Sequence, residues 1–382
     1  MNLPSPVEMI AKLVAEPSVS SADPHLDQSN LGVIHRLAEW LETLGFAVSL
    51  QAVTKTKANL VASLGPLEAG DGLVLSGHTD TVPYDEGLWS SDPFRLTERQ
   101  GRLYGLGTAD MKSFFALALS AIASLDLKRL KAPLLVLATC DEESTMNGAR
   151  LLAKTGLPGG RFAIIGEPTD LKPVRMHKGV LMESVEVLGH SGHASNPALG
   201  ANALEGMVEV LKALLCWRDE LAKIRHPGFE VPFPTLNLGA ISGGDSPNRI
   251  CGHCRALLDL RLLPGMAPET VREELKRLVE TTVAAFPRLK AKVEPLFPGV
   301  PAFETPADAQ LVRLCEELTG QAAGAVAFGT EAPYLASLGL ETVILGAGSI
   351  DQAHQPDEYL PRQHIDPAIR LLRRLIEHYC LG

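Results

Sequence analysis

Leu73-Val74-Leu75-Ser76-Gly77-His78-Thr79-Asp80 is the stretch on which the reading of the whole chain turns. The apolar run Leu73–Leu75 reads as a strand, and His78 and Asp80 follow at its end. Imidazole is a good ligand for zinc-like metals, and a nearby carboxylate commonly orients a ligating ring. A single H-x-D is commonplace, so its meaning depends on company. Asp110, the pair Glu142-Glu143, Glu167 and His354 each fall where a predicted strand ends or a helix begins.

Outward from this stretch, the first 175 residues alternate strand and helix. Ile34, Leu37, Leu41 and Leu44 keep helical spacing, and Gly45 ends that helix as a C-cap glycine does. Strands are expected at about Asn59–Leu64, Leu73–Ser76, Pro133–Thr139 and Phe162–Ile165, with a helix over Lys112–Leu125. Continuous apolar strands separated by helices indicate a largely parallel sheet buried on both faces.

The middle of the chain reads differently. Leu181–Leu188, a helix near Asn202–Leu221, Thr235–Ile241, Ile250–Leu262, a helix from Pro268, and Leu289–Val293 run β-α-β-β-α-β. Leu236, Leu238 and Ala240 alternate with polar or small residues, and Leu258, Leu260 and Leu262 alternate with Leu257, Asp259 and Arg261. Each strand thus offers one apolar and one mixed face, the pattern of a ferredoxin-like sheet covered on one side by helices. Afterwards the α/β pattern resumes. Thr305 and Pro306 cap a helix, Thr342–Leu345 makes a strand, and Asp366-Pro367 opens the last helix. The expected fold class is α/β, with a mostly parallel-sheet domain in two segments, 1–178 and 293–382, and an inserted α+β domain at 179–292.

The 382 residues are enough for two cores, and 46% hydrophobic with 21% charged residues is ordinary soluble composition. A net charge of −10 argues against a nucleic-acid partner, which would want a basic face. No apolar stretch approaches the roughly 18 residues that span a bilayer. The start, MNLPSPVEMIAKL, lacks a basic segment followed by an apolar run, so a cytoplasmic protein without a membrane partner is expected. Six scattered cysteines suit reduced thiols. Cys251 and Cys254 form a C-x-x-C, but no second ligand pair follows to close a structural zinc site.

Ligands in open α/β sheets gather outside the carboxyl ends of the strands. His78, Glu142-Glu143 and Glu167 each follow a predicted strand, and His354 lies in the loop after Thr342–Leu345. Asp110 joins them from the glycine-flanked turn Gly105–Ala109. Taken singly, an aspartate there is usually an N-cap and a Glu-Glu pair usually solvated surface. Taken together, two histidines and three carboxylates exceed the needs of one tetrahedral zinc, and suffice for two metals if one carboxylate bridges.

The strings SGHTDTVP (76–83), GLGTADMK (105–112), DEES (141–144), IGEPT (165–169) and His354-Gln355-Pro356-Asp357-Glu358 resemble the M20 family of co-catalytic metallo-aminoacylases and peptidases. The likeness extends through FGTEAPY (328–334), TLNLGAISGGDSPNRIC (235–251) and GSIDQAHQPDEY (348–359), and so covers essentially the whole chain. It implies a metallopeptidase-like catalytic domain and an inserted lid and dimerisation domain, hence a homodimer. It implies two divalent ions, zinc or cobalt: His78 and Glu167 on one, Glu143 and His354 on the other, Asp110 bridging. Asp80 would sit behind His78, and Glu142 would be the general base.

By the same resemblance, His193 in Gly189–Ser195 would reach into the partner subunit's site, whereas His190 has no counterpart. Asn248 and Arg261, with Thr330 as a further candidate, would bind the carboxylate of a small N-acyl amino acid. A surface pair with Asp259 is the ordinary alternative for Arg261. The implied reaction is hydrolysis of N2-acetyl-L-ornithine to ornithine and acetate in arginine biosynthesis. Succinyl-diaminopimelate and acetylcitrulline are the alternative substrates. The first of these carries an additional carboxylate, and only His177-Lys178 offer cations near that position, which favours the acetyl substrate. Glu331 could meet a substrate ammonium group or cap the helix beginning Ala332-Pro333. A non-catalytic metal-binding descendant is the reading from another class; it would tolerate loss of the base, and Glu142 is intact.

Overall fold

Leu73–His78 is a strand buried along its whole length, as an uninterrupted apolar run covered on both faces requires. The computed structural model describes residues 3–382 in two units. One comprises the chain up to Arg175 with Thr305–Gly324 and Glu331–Gly382, and the other Met176–Glu304 with Ala325–Thr330.

The first unit opens with helices α1 (Pro6–Val14) and α2 (Leu31–Thr43) and strands β1 (Ala47–Ala52), β2 (Ala58–Leu64) and β3 (Leu73–His78). A small hairpin, β4 (Thr97–Arg99) and β5 (Arg102–Tyr104), leads to α3 (Lys112–Ala123) and β6 (Leu134–Thr139). Then come α4 (Asn147–Thr155) and β7 (Phe162–Ile165), and β8 (Val174–His177) carries the chain into the second unit. That unit holds β9 (Gly179–Leu188), α5 (Ala203–Leu221), β10 (Thr235–Gly243), β11 (His253–Leu262), α6 (Pro268–Val283), β12 (Lys290–Pro295) and β13 (Phe303–Glu304). Helix α7 (Gln310–Thr319) returns to the first unit, and β14 (Gly324–Val326) leads briefly back to the second. Helix α8 (Ala332–Ser337), strands β15 (Glu341–Ile344) and β16 (Tyr359–Pro361) and helix α9 (Ile365–Ile376) complete the first.

In the first unit the sheet order is β1-β2-β6-β3-β7-β15. The centre is parallel: β3 pairs with β6 and β7, and β7 with β15. Strands β1 and β2 run antiparallel, because the short connection closed by Val53 N–H to Lys57 O can only form a hairpin. The parallel register sets His78 opposite Thr139, and Ile165 opposite both Ser76 and Ile344. The carboxyl ends of four strands therefore share one edge. Helix α3 is buried almost all round, with Phe114, Phe115, Leu117 and Leu119 in the core beside residues of α1 and α9.

The second unit is the expected β-α-β-β-α-β arrangement, with sheet order β10-β11-β9-β12 and antiparallel pairing throughout. Leu258, Leu260 and Leu262 point into the core with Val185, Val210 and Leu275. On β10 the alternation breaks. A bulge between Leu238 and Ala240 shifts the register, so Leu236 is buried but Ala240 is exposed.

Three expected starts and stops move. The insertion does not stop at 292, because β12 continues against β9 to Pro295. Helix α7 begins at Gln310 rather than at Thr305-Pro306, because Thr305 is spent on the sheet: its hydroxyl donates to Thr342 O at 2.7 Å. Helix α9 is capped by His364 and starts at Ile365, so Asp366 and Pro367 lie inside its first turn. Among the described residues no helix is long and apolar enough to cross a membrane.

Candidate metal centre

His78 is the last residue of β3 and is buried. Its Nδ1 lies 3.0 Å from the carbonyl oxygen of Asp80. A carbonyl only accepts, so that nitrogen carries a proton, and Nε2 is the atom turned towards the site. Nε2 stands 3.0 Å from Asp110 Oδ1 and 3.8 Å from Glu167 Oε2. The other oxygen of Asp110, Oδ2, lies 3.5 Å from His354 Nε2, which in turn is 3.0 Å from Glu143 Oε2. Asp110 therefore faces one histidine with each of its oxygens.

Donor atoms of His78, Asp110 and Glu167 lie within 4.8 Å of one another, and so do those of Asp110, Glu143 and His354. The two triads share Asp110. A third grouping of His78, Glu142 and Glu143 puts Glu142 within the same reach, so distance alone does not separate its role from that of its neighbour.

The electrostatics fit a cation site. Burial, and then repulsion from neighbouring carboxylates, pushes Glu142 and Glu143 up, and burial pushes Glu167 up to about 7. Asp110 is held well below the carboxylate range, because hydrogen bonds from His354 and His78 outweigh its burial. Hydrogen bonds to Asp110 and Glu143 raise His354 to about 10. Glu167 Oε1 is buried without a hydrogen-bond partner, a costly state that a cation would relieve. Carboxylates crowded at this density with two imidazoles form a donor set suited to divalent ions.

Local packing explains how the ligands are presented. A Cβ at Gly166 would meet Phe114 Cγ at 2.0 Å, so only glycine lets α3 pack against the strand end that carries Glu167. Asp141 and His354 both adopt positive φ, 62° and 60°, which bends the two loops that deliver Glu142-Glu143 and His354. Asp80 differs from expectation in detail. Its carboxylate is 3.8 Å from His78 Nδ1 and accepts the Glu143 N–H at 3.1 Å instead, while its carbonyl orients the ring.

Two buried ionisable side chains with no role assigned from the sequence, Lys57 and Glu358, also shape the site. Lys57 donates to Asp27 at 2.6 Å and to Asp141, and Ser20 Oγ donates to Asp141 at 3.1 Å. Glu358 accepts backbone N–H bonds from the turn that ends in Asp110. Lys57 lies in the polar run Thr54-Lys55-Thr56-Lys57, which carries no periodic signal. Glu358 was visible in the sequence only as the fourth residue after His354.

The remaining candidates belong to the second unit. His193 is exposed, and its Nδ1 accepts from the N–H and hydroxyl of Ser195 at 3.2 and 2.7 Å. Asn248 is its neighbour: the Asn248 carbonyl accepts the Ala194 N–H at 3.0 Å. Arg261 forms a two-pronged pair with Asp259 at 2.9 and 3.1 Å, the ordinary alternative expected of adjacent same-face positions. Thr330 is buried, and its N–H donates to His177 Nε2 at 3.3 Å. Glu331, by contrast, belongs to the first unit, where it is buried at the N-cap of α8 and its side chain makes no cap bond.

Comparison with known proteins gives this geometry a context. Residues 74–378 match the family described as Peptidase family M20/M25/M40. The chain is 46% identical over 385 residues to an acetylornithine deacetylase of Proteus mirabilis (strain HI4320), covering 100% of this chain and 98% of that protein. It is 47% identical over 381 residues to an acetylornithine deacetylase of Aliivibrio salmonicida (strain LFI1238), covering 100% of both. Among solved structures it resembles an M20 family metallo-carboxypeptidase of Sulfolobus solfataricus, with TM-score 0.75, 19% identity and 99% of each chain covered. It also resembles a dinuclear metal-binding M20 peptidase of Bacillus subtilis, with TM-score 0.67, 16% identity and 98% of each chain covered.

Proposed function

The chain belongs to peptidase family M20/M25/M40, and from that premise we propose that it hydrolyses N2-acetyl-L-ornithine to L-ornithine and acetate. It is a hydrolase of amide bonds. One observation carries the mechanistic part: two triads of donor atoms, each with a histidine, meet at Asp110. His78 and Glu167 would hold one divalent ion and Glu143 and His354 the other, with Asp110 as the ligand common to both. Zinc and cobalt both suit this mixture of imidazole and carboxylate.

Such ions supply Lewis acidity, polarising an amide carbonyl and making water acidic enough to ionise near neutrality. Glu142 takes the proton of the attacking water and returns it to the departing amine nitrogen. Burial, and then the carboxylates around it, push its proton affinity upward, which suits a group that must both accept and give back a proton. Asp80 keeps the His78 ring and the Glu143 backbone in place. The product amine and acetate then leave as separate molecules.

Arg261, Asn248 and Thr330 bind the substrate carboxylate; for Arg261 this requires exchanging Asp259 for the ligand. His193 completes the site of a partner subunit, so the working form is a homodimer, here a cytoplasmic enzyme of arginine biosynthesis. Mixing Glu142→Gln subunits with His193→Ala subunits, each inactive alone, tests this. Activity returning in confirmed heterodimers is expected, and heterodimers without activity would remove His193 from the partner's site.

Substrate choice is tested by turnover of acetylornithine, acetylcitrulline and succinyl-diaminopimelate side by side. Acetylornithine is expected to give the highest kcat/KM. A preference for the succinyl substrate would redirect the assignment within the family, and loss of all turnover with metals bound would favour a non-catalytic metal-binding protein.

A further inference from the structure

Glu358 is buried at 1% exposure, yet its carboxylate lies outside every donor cluster of the site. Both its oxygens are committed to backbone. Oε1 accepts the N–H of Ala109 at 2.7 Å and of Asp110 at 3.0 Å, and Oε2 accepts the N–H of Gly107 at 3.1 Å. Its own carbonyl accepts the Gly105 N–H at 3.1 Å. One residue thus ties down the whole turn from Gly105 to Asp110.

The fold makes this possible by pairing β16 with β5. Tyr359 sits opposite Tyr104, which places the preceding Glu358 beside the residue that begins the turn. Gly107 has φ +83°, a conformation that lets its N–H face the carboxylate at little cost. The same segment carries His354 four residues earlier. A short stretch of chain therefore presents one histidine of the site and fixes the aspartate that this histidine faces.

We infer that Glu358 is a positioning residue of the metal centre, holding the Asp110 backbone so that the two carboxylate oxygens point one at His78 and one at His354. The inference rests on the assignment of Asp110 as the bridging ligand. A carboxylate is the group this job needs, because three N–H donors converge on a side chain that must accept only. A glutamine keeps one accepting oxygen and turns an N–H2 towards another N–H. An aspartate keeps the charge but is one methylene short. Groups that orient ligands from behind commonly alter metal affinity about 10- to 100-fold when changed.

The test is calorimetric titration of Zn²⁺ into metal-free wild type, Glu358→Gln and Glu358→Asp, with circular dichroism and Tm measured on the same samples. Both variants are expected to fold and to bind Zn²⁺ about 10- to 100-fold more weakly, with Glu358→Asp the nearer to wild type. Wild-type affinity in the folded variants overturns the inference, however far Tm falls, since a purely structural role would lower Tm alone. Should Glu358→Gln fail to fold, Glu358→Asp decides by the same criterion. Wild type that takes up no Zn²⁺ would instead overturn the metal assignment beneath it, and the inference with it.

Discussion

Asp80 Oδ2 accepts the backbone N–H of Glu143 at 3.1 Å, joining the loop after β3 to the loop after β6. Through its carbonyl the same residue holds the His78 ring. Asp80 therefore couples one histidine to the glutamate on the far side of Asp110. Asp80→Ala is expected to lower kcat about 10- to 100-fold with a far smaller change in KM, because the ligands lose alignment while the substrate contacts remain. Asp80→Asn keeps an accepting oxygen for Glu143 and should be milder. Steady-state kinetics that find kcat unchanged in Asp80→Ala would remove this role.

Lys57 is a buried ammonium shared by Asp27 and Asp141, and Asp141 is the residue that turns the chain into Glu142-Glu143. Removing the cation leaves the buried Asp141 charge without its partner. Lys57→Met is expected to cost about 3–5 kcal/mol of stability, the range for breaking one half of a buried pair. Urea unfolding checks the value, and a loss within the scatter of exposed surface substitutions would show that Lys57 and Asp141 are effectively solvated.

Burial pushes Glu331 and Glu167 up to about 7. Above the ordinary glutamate value of 4.5 the unfolded chain has released protons that the folded, metal-free protein still holds. Stability then falls as pH rises through this window. His354, raised to about 10 by its bonds to Asp110 and Glu143, acts in the same sense, since its contribution is complete below the ordinary histidine value and is lost as pH climbs. The metal-free protein should melt higher near pH 5.5 than near pH 8, and the Tm gain on adding Zn²⁺ should grow over that interval as ions replace protons. A metal-free Tm that rises across it would contradict the assignment of these groups.

Because the triads share only Asp110, the two ends of the site should respond differently to substitution. Asp110→Ala is expected to weaken both ions together, whereas His78→Ala mainly weakens one. Calorimetry that finds the same single-site loss in both variants would exclude a bridging carboxylate.

The parallel core was legible because each of its strands is a continuous apolar run, and the candidate ligands were legible because they follow strand ends or, for Asp110, precede a helix start. The pair Arg261–Asp259 was likewise readable from strand alternation. What escaped the sequence depends on contacts between distant segments. Glu358 acts on backbone N–H groups some 250 positions earlier in the chain, which have no side-chain signature. Lys57 meets Asp141 only because the β1–β2 hairpin lies beside β6. The Thr305-Pro306 cap failed because a threonine's hydroxyl serves a sheet carbonyl as readily as a helix end.

In the proposed reaction an amide is cleaved at the site around Asp110 with Glu142 as the base. The most direct measurement of this reaction is acetate release from N2-acetyl-L-ornithine by metal-free wild type and Glu142→Gln, each titrated with Zn²⁺ or Co²⁺ while binding is followed calorimetrically. Both proteins are expected to bind metal alike. Wild-type turnover should rise with occupancy, and Glu142→Gln should stay lower by on the order of 10²- to 10⁴-fold. Glu142→Gln turning over at the wild-type rate with metals bound, or acetate release from wild type that is indifferent to metal, would contradict the account.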